Sequence, residues 1–186
     1  CMFRQYRIWL LSVLPLLTGQ AFAQQPFRFE QLPAETRLMH GGINCITQDS
    51  KGILWIGTWS GLMRYDGYKV RTFQQEPGTS DGLQSDQVTS LVEDRAGRLW
   101  VGTVSAGFHC FDRATERFVS YRFNPDNPNS LSDNDVWGLF EDSKGCIWVG
   151  TKKGLNRFNP ETKSFLRIYA PGDDIARPSS DYIYSI

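Results

Sequence analysis

The sequence is short of cysteine and histidine and has no excess of either charge, and each shortage excludes a class of protein. Its 186 residues carry 20 Lys and Arg against 20 Asp and Glu, so no net charge favours binding to nucleic acid or anionic lipid. The few cysteines are widely spaced without a Cys-x-x-Cys pair, which argues against a disulfide framework and a zinc site. His40 and His109 stand apart from other ligand residues. We therefore predict no metal and no cofactor.

Long apolar runs are also missing, apart from one near the amino terminus. Residues 8–17 form an apolar run of about ten residues, whereas a helix that spans a bilayer needs roughly 20. Arg4 and Arg7 precede this run, and the small-x-small segment Ala21-Phe22-Ala23 follows it. This order is typical of a secretory signal peptide. We expect residues 1–23 to be removed on export to the periplasm, the alternatives being a buried helix or a membrane anchor.

The chain is dominated by a repeat. Three segments share one pattern, QDSKGILWIGT at 48–58, EDRAGRLWVGT at 93–103 and EDSKGCIWVGT at 141–151. Their Gly-Thr pairs begin at 57, 102 and 150, which gives periods of 45 and 48 residues. Each copy contains four short β-forming runs separated by turns, a pattern typical of propeller blades, which span about 40–45 residues. The sequence therefore predicts an all-β fold, a β-propeller of four-stranded antiparallel blades.

The repeated residues have structural roles in this interpretation. Glycine permits the positive φ of a tight turn, aspartate caps turn amides, and tryptophan packs between adjacent blades. These residues are Asp49, Gly52, Trp55 and Gly57 in the first copy, Asp94, Gly97, Trp100 and Gly102 in the second, and Asp142, Gly145, Trp148 and Gly150 in the third. The paired carboxylates Glu93-Asp94 and Glu141-Asp142 recur at the same turn, so we interpret them as structural, and we predict no catalytic residue.

The repeat also points to a family. The pattern V-x-x-L-x-E-D-x-x-G-x-L-W-V-G-T-x-x-G-L-x-R-F-D, followed by N-P-D-N-P-N-S-L-S-D-N-D-V at 124–136, resembles the two-component regulator propeller repeat. The resemblance covers about residues 40–186 and implies an extracytoplasmic sensor propeller. It further implies a transmembrane helix and a histidine kinase, or less often a diguanylate cyclase, beyond residue 186. The full-length protein would be a homodimer in the inner membrane that responds to an unknown extracellular ligand such as an oligosaccharide.

One segment departs from the family pattern. Phe108-His109-Cys110 replaces the usual Leu-Asn-Arg of the third strand in the second repeat. We expect this replacement to change the surface chemistry of that blade and to leave its fold intact.

The repeat sets the expected domain boundaries. We predict blades at about 40–82, 83–130 and 131–177 and the start of another at 178–186, because residues 180–186 align with 133–139. Residues 24–39 form a lead-in segment that would supply a strand to the last blade. Since a closed propeller needs about four to eight blades, we expect the chain to be an incomplete propeller fragment.

Connectivity predicts where a ligand would bind. If strands a to d of each blade run outward from the propeller axis, the b–c loops and the d–a links share one surface, here called the loop face. Longer loops are the usual carriers of binding. The predicted ligand residues on this face are Trp59, Ser60, Ser105, Lys152 and Lys153. Trp59 suits stacking on a sugar ring, the alternative being a ring wedged against the next blade, and the two lysines also fit a solvated turn.

Three cysteines follow the predicted signal peptide. The repeat places Cys45 on an innermost strand, Cys110 on a third strand and Cys146 in an a–b turn of another blade. A disulfide requires a Cα separation of about 4.4–6.8 Å, which these positions do not favour. We therefore predict three free thiols.

Several functional classes remain open from the sequence. The first is a ligand-sensing segment of a membrane-bound two-component protein, which is not itself an enzyme and is coupled to a kinase beyond residue 186. The second is a secreted or periplasmic propeller enzyme or lectin that acts on polysaccharide. A purely structural scaffold is the third.

Overall fold

The computed structural model describes residues 42–168 and 183–184, which contain twelve β-strands in three separate sheets. Blade one contains β1 (Ile43–Gln48), β2 (Leu54–Thr58), β3 (Gly61–Tyr65) and β4 (Val70–Phe73). Blade two contains β5 (Val88–Glu93), β6 (Leu99–Thr103), β7 (Gly107–Asp112) and β8 (Arg117–Tyr121). Blade three contains β9 (Val136–Glu141), β10 (Ile147–Thr151), β11 (Gly154–Asn159) and β12 (Ser164–Ile168). The predicted signal peptide at 1–23, the lead-in at 24–39 and most of 178–186 lie outside the described residues.

Each sheet pairs its four strands in chain order, and all of these pairings are antiparallel. The predicted all-β fold with four-stranded blades is therefore confirmed. Within residues 42–168 and 183–184, the structure has no helix that is long and apolar enough to cross a membrane.

The a–b turn explains the fixed spacing of the repeat. In blade one, Asp49 Oδ1 accepts the amide hydrogens of Lys51 at 3.0 Å and Ile53 at 2.9 Å, and Gly52 has a φ of 81°. The second oxygen of Asp49 accepts a hydrogen bond from the indole nitrogen of Trp55 at 2.9 Å. The same indole bond measures 2.8 Å in blade two and 2.9 Å in blade three. The predicted capping of the turn amides is confirmed, and the same carboxylate also holds the tryptophan six residues later, which the sequence did not reveal.

Trp55 and Trp100 pack between blades, as predicted. Trp100 is buried, stacks on Phe108 of its own blade with ring centroids 4.8 Å apart, and meets Phe158 of blade three edge-on at 5.2 Å. Trp55 is buried and contacts Phe111 of blade two at 5.1 Å. Aromatic rings that bury this much apolar surface contribute strongly to stability, so these contacts hold consecutive blades together.

The glycine of each Trp-x-Gly-Thr segment supports the next blade. A Cβ atom added to Gly57 would lie 2.7 Å from Val88 Cγ1, and one added to Gly102 would lie 2.7 Å from Val136 Cγ1. A Cβ on Gly150 would lie equally close, at 2.7 Å, to Ile183 Cγ2. Val88 and Val136, the first residues of β5 and β9, and Ile183 therefore lie directly on the glycine of the preceding blade, at a contact we call the glycine seat.

Ile43 and Phe140 are exposed on blades one and three, each of which has one face without a neighbouring blade among the described residues. Ile43 of blade one is 46% exposed, whereas Val88 and Val136 occupy the same repeat position and are fully buried. On blade three, Phe140 is 48% exposed beside the partly buried Trp148. These two faces have the composition of the interior surfaces between the described blades.

The Phe108-His109-Cys110 segment leaves the fold of blade two intact, as expected, but the expectation that it changes the surface chemistry is wrong. Phe108 and His109 are buried, and Cys110 is partly buried, so the segment contributes little to the protein surface. Met63 and Asn156, which occupy the position of His109 in the neighbouring blades, are buried as well. The third strand lies between packed blades, which is why its central position faces the interior in every copy.

The three described cysteines are free, which confirms the prediction. They lie on β1, on β7 and in the turn between β9 and β10. Burial raises the pKa of Cys45 to about 12 and that of Cys110 to about 11. These two thiols are therefore protonated at physiological pH and are poor nucleophiles.

Trp100 is buried between blades and Trp59 lies on an exposed loop, so replacing each by alanine allows a direct comparison of their effects on stability. Trp100→Ala removes a ring packed between two blades and should cost about 3–5 kcal/mol. Trp59→Ala should change stability by less than about 1 kcal/mol, because Trp59 is 42% exposed on a loop. Urea unfolding of both variants measures the difference. A larger loss for Trp59→Ala would contradict the assignment of Trp59 to an exposed loop tip.

Candidate functional site

Backbone hydrogen bonds assemble the loop face. The amide of Gly61, at the b–c tip of blade one, donates to the carbonyl of Asp86 at 2.7 Å. The amide of Val104, at the tip of blade two, donates to the neighbouring carbonyl of Gln87 at 3.0 Å. The end of the link between the two blades therefore joins both tips, and the predicted proximity of b–c loops and d–a links is present in the structure.

The next link joins blades two and three in the same manner. The amide of Gly107 donates to the carbonyl of Asn134, and that of Lys152 donates to the carbonyl of Asp135, both at 2.9 Å. The carboxylate of Asp135 also accepts the amide hydrogen of Ser105 at 2.8 Å. Asp135 thus brings Ser105 and Lys152 together, although the sequence did not single it out.

The two predicted lysines are paired with carboxylates. Lys153 Nζ lies 3.1 Å from Asp133 Oδ2, and Lys152 Nζ lies 3.8 Å from Asp135 Oδ2. Exposed ion pairs of this kind contribute about 0–1 kcal/mol to stability. The two ion pairs therefore balance the local charge and contribute little to holding the loop tip of blade three against its link.

Trp59 and Ser60 occupy a separate tip, in blade one. The ring of Trp59 lies beside Gly42, because a Cβ on that glycine would be 3.8 Å from Trp59 Cδ1. The amide of Ser60 donates to Thr58 Oγ1 at 3.0 Å, and the Ser60 carbonyl accepts from Gln74 at 3.0 Å. These contacts order the tip and leave 42% of Trp59 exposed. Ligand binding by this residue stays a prediction.

The paired carboxylates are engaged in structural bonds. Glu93 of blade two accepts the amide of Ser50 at 2.6 Å, and Glu141 of blade three accepts the amide of Arg95 at 3.2 Å. Each glutamate therefore ties its blade to the a–b turn of the preceding one. Hydrogen bonds from Trp148 and from the Cys146 amide hold the pKa of Asp142 below its usual range.

Arg113 is a blade-joining residue that the sequence did not reveal. Its guanidinium donates to Asp49 at 2.6 Å and to Glu93 at 2.9 Å, so it connects the turns of blades one and two. Although burial alone would raise the pKa of Asp49, hydrogen bonds from Trp55 and Arg113 hold it below its usual range. The repeat gave no signal because the other blades lack an arginine at this turn.

Sequence reasoning also missed a concave surface at the outer edge of blades one and two, here called the rim cleft. It has a volume of about 270 Å³. Three segments form it: β4, the link that follows β4, and the turn before β8. The side chains that characterise it are Arg71, Phe73, Leu83, Glu116, Arg117 and Phe118. Its charged residues are not repeated in the other blades, so no periodic pattern marked them.

No group of three or more metal-ligating side chains is found in the part of the chain that the structure describes.

The repeat matches a known family. The sequence model of the family described as "Two component regulator propeller" matches residues 37–60, 82–105 and 130–153. The three matches fall on the three predicted copies and each contains an Asp-x-x-Gly-x-x-Trp turn. The chain contains three two-component regulator propeller repeats. Among curated proteins, none matches the chain.

Solved structures agree with this identification. The regulator propeller repeats are similar to the extracellular domain of a hybrid two-component system from Bacteroides thetaiotaomicron, with 28% identity and a TM-score of 0.63. That match covers 68% of this chain and 18% of the other, so the chain corresponds to less than a fifth of its length. Virginiamycin B lyase from Staphylococcus aureus matches at 18% identity and a TM-score of 0.54, over 70% of this chain and 42% of that one. The lyase similarity shows the fold alone.

His109 lies on the third strand of the second regulator propeller repeat, where the other two repeats have Met63 and Asn156. Its ring is buried and lies 3.1 Å from Thr103 Oγ1 and 2.8 Å from Ser120 Oγ. Thr103 donates its own hydroxyl hydrogen to the Gly107 carbonyl. Nε2 of His109 therefore carries the proton, and Nδ1 accepts from Ser120. Burial, reinforced by the charge of Arg122, lowers the pKa of His109 to about 3.

Because the His109 imidazole is buried, we predict that the free energy of unfolding depends on pH. The unfolded chain protonates His109 near the ordinary pKa of 6.5, whereas the folded chain does so only near 3. The free energy of unfolding is therefore unaffected by His109 above pH 6.5 and decreases as pH falls below that value. The slope of unfolding free energy between pH 6.5 and 5 should approach about 1.4 kcal/mol per pH unit. His109→Asn and His109→Met, which copy the neighbouring blades, should flatten it in urea titrations. An unchanged slope in both variants would show that His109 does not carry the effect.

Proposed function

We propose that the chain belongs to the periplasmic sensor region of a membrane-bound two-component signalling protein, with a sensor histidine kinase as its output domain. The observation that carries the proposal is the threefold regulator propeller match, together with 28% identity to the extracellular domain of a hybrid two-component system. Sensing of an extracellular ligand requires export, and the basic, apolar and small-residue order of residues 1–23 supports export.

The segment itself has a binding role and no catalytic role in this proposal. Its recurrent carboxylates are engaged in turns and blade contacts, and the buried thiols have raised pKa values. The extracellular ligand is an oligosaccharide or another small polar molecule, and its contacts on the loop face are Trp59, Ser60, Ser105, Lys152 and Lys153. A ligand on this face touches the tips of several blades, so it can alter how the blades are arranged.

Signal transfer in the proposal requires two copies and a membrane span. Ligand binding to the propeller shifts the arrangement of a homodimer, and a transmembrane helix beyond residue 186 carries that shift to the kinase. A ligand achieves such a shift only by the difference in its affinity for the two arrangements. A diguanylate cyclase as output domain is the alternative that uses the same propeller.

Phosphorylation by the full-length protein tests the proposal. The protein is reconstituted in liposomes with ATP, and autophosphorylation on histidine is followed with and without a panel of oligosaccharides outside. We expect one oligosaccharide class to change the rate several-fold. Trp59→Ala should reduce this response and leave the basal rate unchanged, since the residue lies on the exposed loop face.

Two outcomes would contradict the proposal. Cleavage of the oligosaccharides, with no phosphorylation under any condition, would identify a propeller enzyme. Phosphorylation that is insensitive to every extracellular addition would remove the sensing role.

A further inference from the structure

The innermost strand of each blade contains a β-bulge directly after its first residue. In the pairing of β1 with β2 the register passes from Ile43 to Cys45, so Asn44 has no partner residue on β2. Thr89 of β5 and Trp137 of β9 are skipped in the same way. A bulge re-aims the side chain of the extra residue away from the regular alternation of the strand. The second residue of each innermost strand is therefore placed to reach beyond its own sheet.

In blades one and two this side chain bonds the next blade. Asn44 Nδ2 donates to the carbonyl of Val88 at 2.7 Å. Thr89 Oγ1 donates to the carbonyl of Val136 at 2.6 Å, the shorter of its two carbonyl contacts. Val88 and Val136 are also the residues that lie on the glycine seat. An amide and a hydroxyl thus make the same inter-blade hydrogen bond from equivalent positions, here called the bulge strap.

Blade three lacks the bulge strap, although it has the glycine seat. The repeat aligns Ile183 with Val136, and Ile183 lies on Gly150. The indole nitrogen of Trp137 is nevertheless buried and has no hydrogen-bond partner among the described residues. Its ring contacts Tyr184 instead, with centroids 5.5 Å apart. A buried donor without an acceptor costs free energy, because it gives up a hydrogen bond to water and gains none.

We propose that the contact of blade three with Ile183 and Tyr184 is a conformational joint, which opens more readily than the contacts between the described blades. When the joint opens, water bonds the indole N–H of Trp137, so the donor favours opening while the ring contact favours closure. The amide of Ile183 donates to the carbonyl of Thr151 at 3.2 Å, directly before the loop tip of Lys152. Opening therefore alters the loop face beside that tip. The joint requires no ligand and does not depend on the proposed function.

Hydrogen exchange on the full-length protein compares the three junctions. The backbone amides of Gly61, Gly107 and Ile183 each donate across one of them. Exchange is followed by mass spectrometry with residue-level fragmentation, and the rate of each amide relative to its intrinsic rate reports how often its junction opens. We expect the protection of Ile183 to be at least about fivefold lower than that of the other two amides, as one unbonded buried donor implies. This comparison uses the unchanged protein, so it stands even if a variant fails to fold.

Trp137→Phe isolates the indole N–H. The variant removes the unbonded donor and keeps an aromatic ring beside Tyr184, so exchange of the Ile183 amide should slow by about fivefold. A role in packing alone predicts the opposite, because phenylalanine fills less space than tryptophan. The matched control is Trp148→Phe in the same blade, where the indole N–H is bonded to Asp142 at 2.9 Å. This control should not slow exchange of Ile183.

Thr89→Val tests the bulge strap itself. Valine keeps the shape of threonine and lacks the hydroxyl that reaches Val136, so exchange of the Gly107 amide should become at least about twofold faster. Unchanged exchange of Gly107 would remove the bulge strap as the bond that distinguishes the other junctions, and the proposal with it.

The remaining outcomes also decide the proposal. Faster exchange of Ile183 in Trp137→Phe would show that ring packing alone holds the contact, and unchanged exchange would show that Trp137 does not set the equilibrium. Slower exchange in both Trp137→Phe and Trp148→Phe would separate the effect from the unbonded donor. Each of these results overturns the proposal, as does equal protection of the three amides in the unchanged protein.

Discussion

The glycine seat is the contact on which the rest of the arrangement depends. The absence of a side chain at Gly57, Gly102 and Gly150 lets a branched residue of the following repeat approach the preceding blade to a distance that a Cβ atom would obstruct. These residues are Val88, Val136 and Ile183. Val88 and Val136, which begin β5 and β9, are both fully buried at this contact, so the two strands start from equivalent positions. The tryptophan two residues before the glycine then meets the next blade's aromatic residues at a constant position. The absence of a Cβ atom at these glycines thus determines how closely consecutive blades pack.

The aspartate of the a–b turn completes this arrangement from the other end of the strand pair. Its two oxygens hold the turn amides and the indole nitrogen, so the ring cannot rotate away from the neighbouring blade. The glutamate beside it reaches back to the preceding turn. With the turns fixed below, the b–c loops and the d–a links meet on the loop face through backbone bonds at Asp86 and Asp135. A rigid frame with exposed loop tips is the general setting of ligand-binding sites.

The blade architecture could be predicted from the sequence because it recurs. A spacing such as Asp-x-x-Gly-x-x-Trp appears three times, and a contact that repeats in every blade leaves a periodic pattern. Arg113, Asp135 and the rim cleft occur once, so no periodicity marks them, and their partners come together only through the packing of two blades. The burial of His109 was missed for a related reason. A polar side chain that occurs at this third-strand position in one blade is expected to be exposed, and its burial depends on hydrogen bonds to Thr103 and Ser120 that the sequence does not show.

A double-mutant cycle at the glycine seat between blades two and three tests this dependence most directly. The backbone of Gly102 is not in the left-handed region, so alanine there should stabilise by about 0.4–1 kcal/mol if nothing opposed it. We predict instead that Gly102→Ala lowers the urea unfolding free energy by about 1–3 kcal/mol through overpacking against Val136. In a Val136→Ala background this loss should shrink by at least about 1 kcal/mol. Purely additive effects, or a stabilising Gly102→Ala, would contradict the claim that the glycine seat positions each blade on the preceding one.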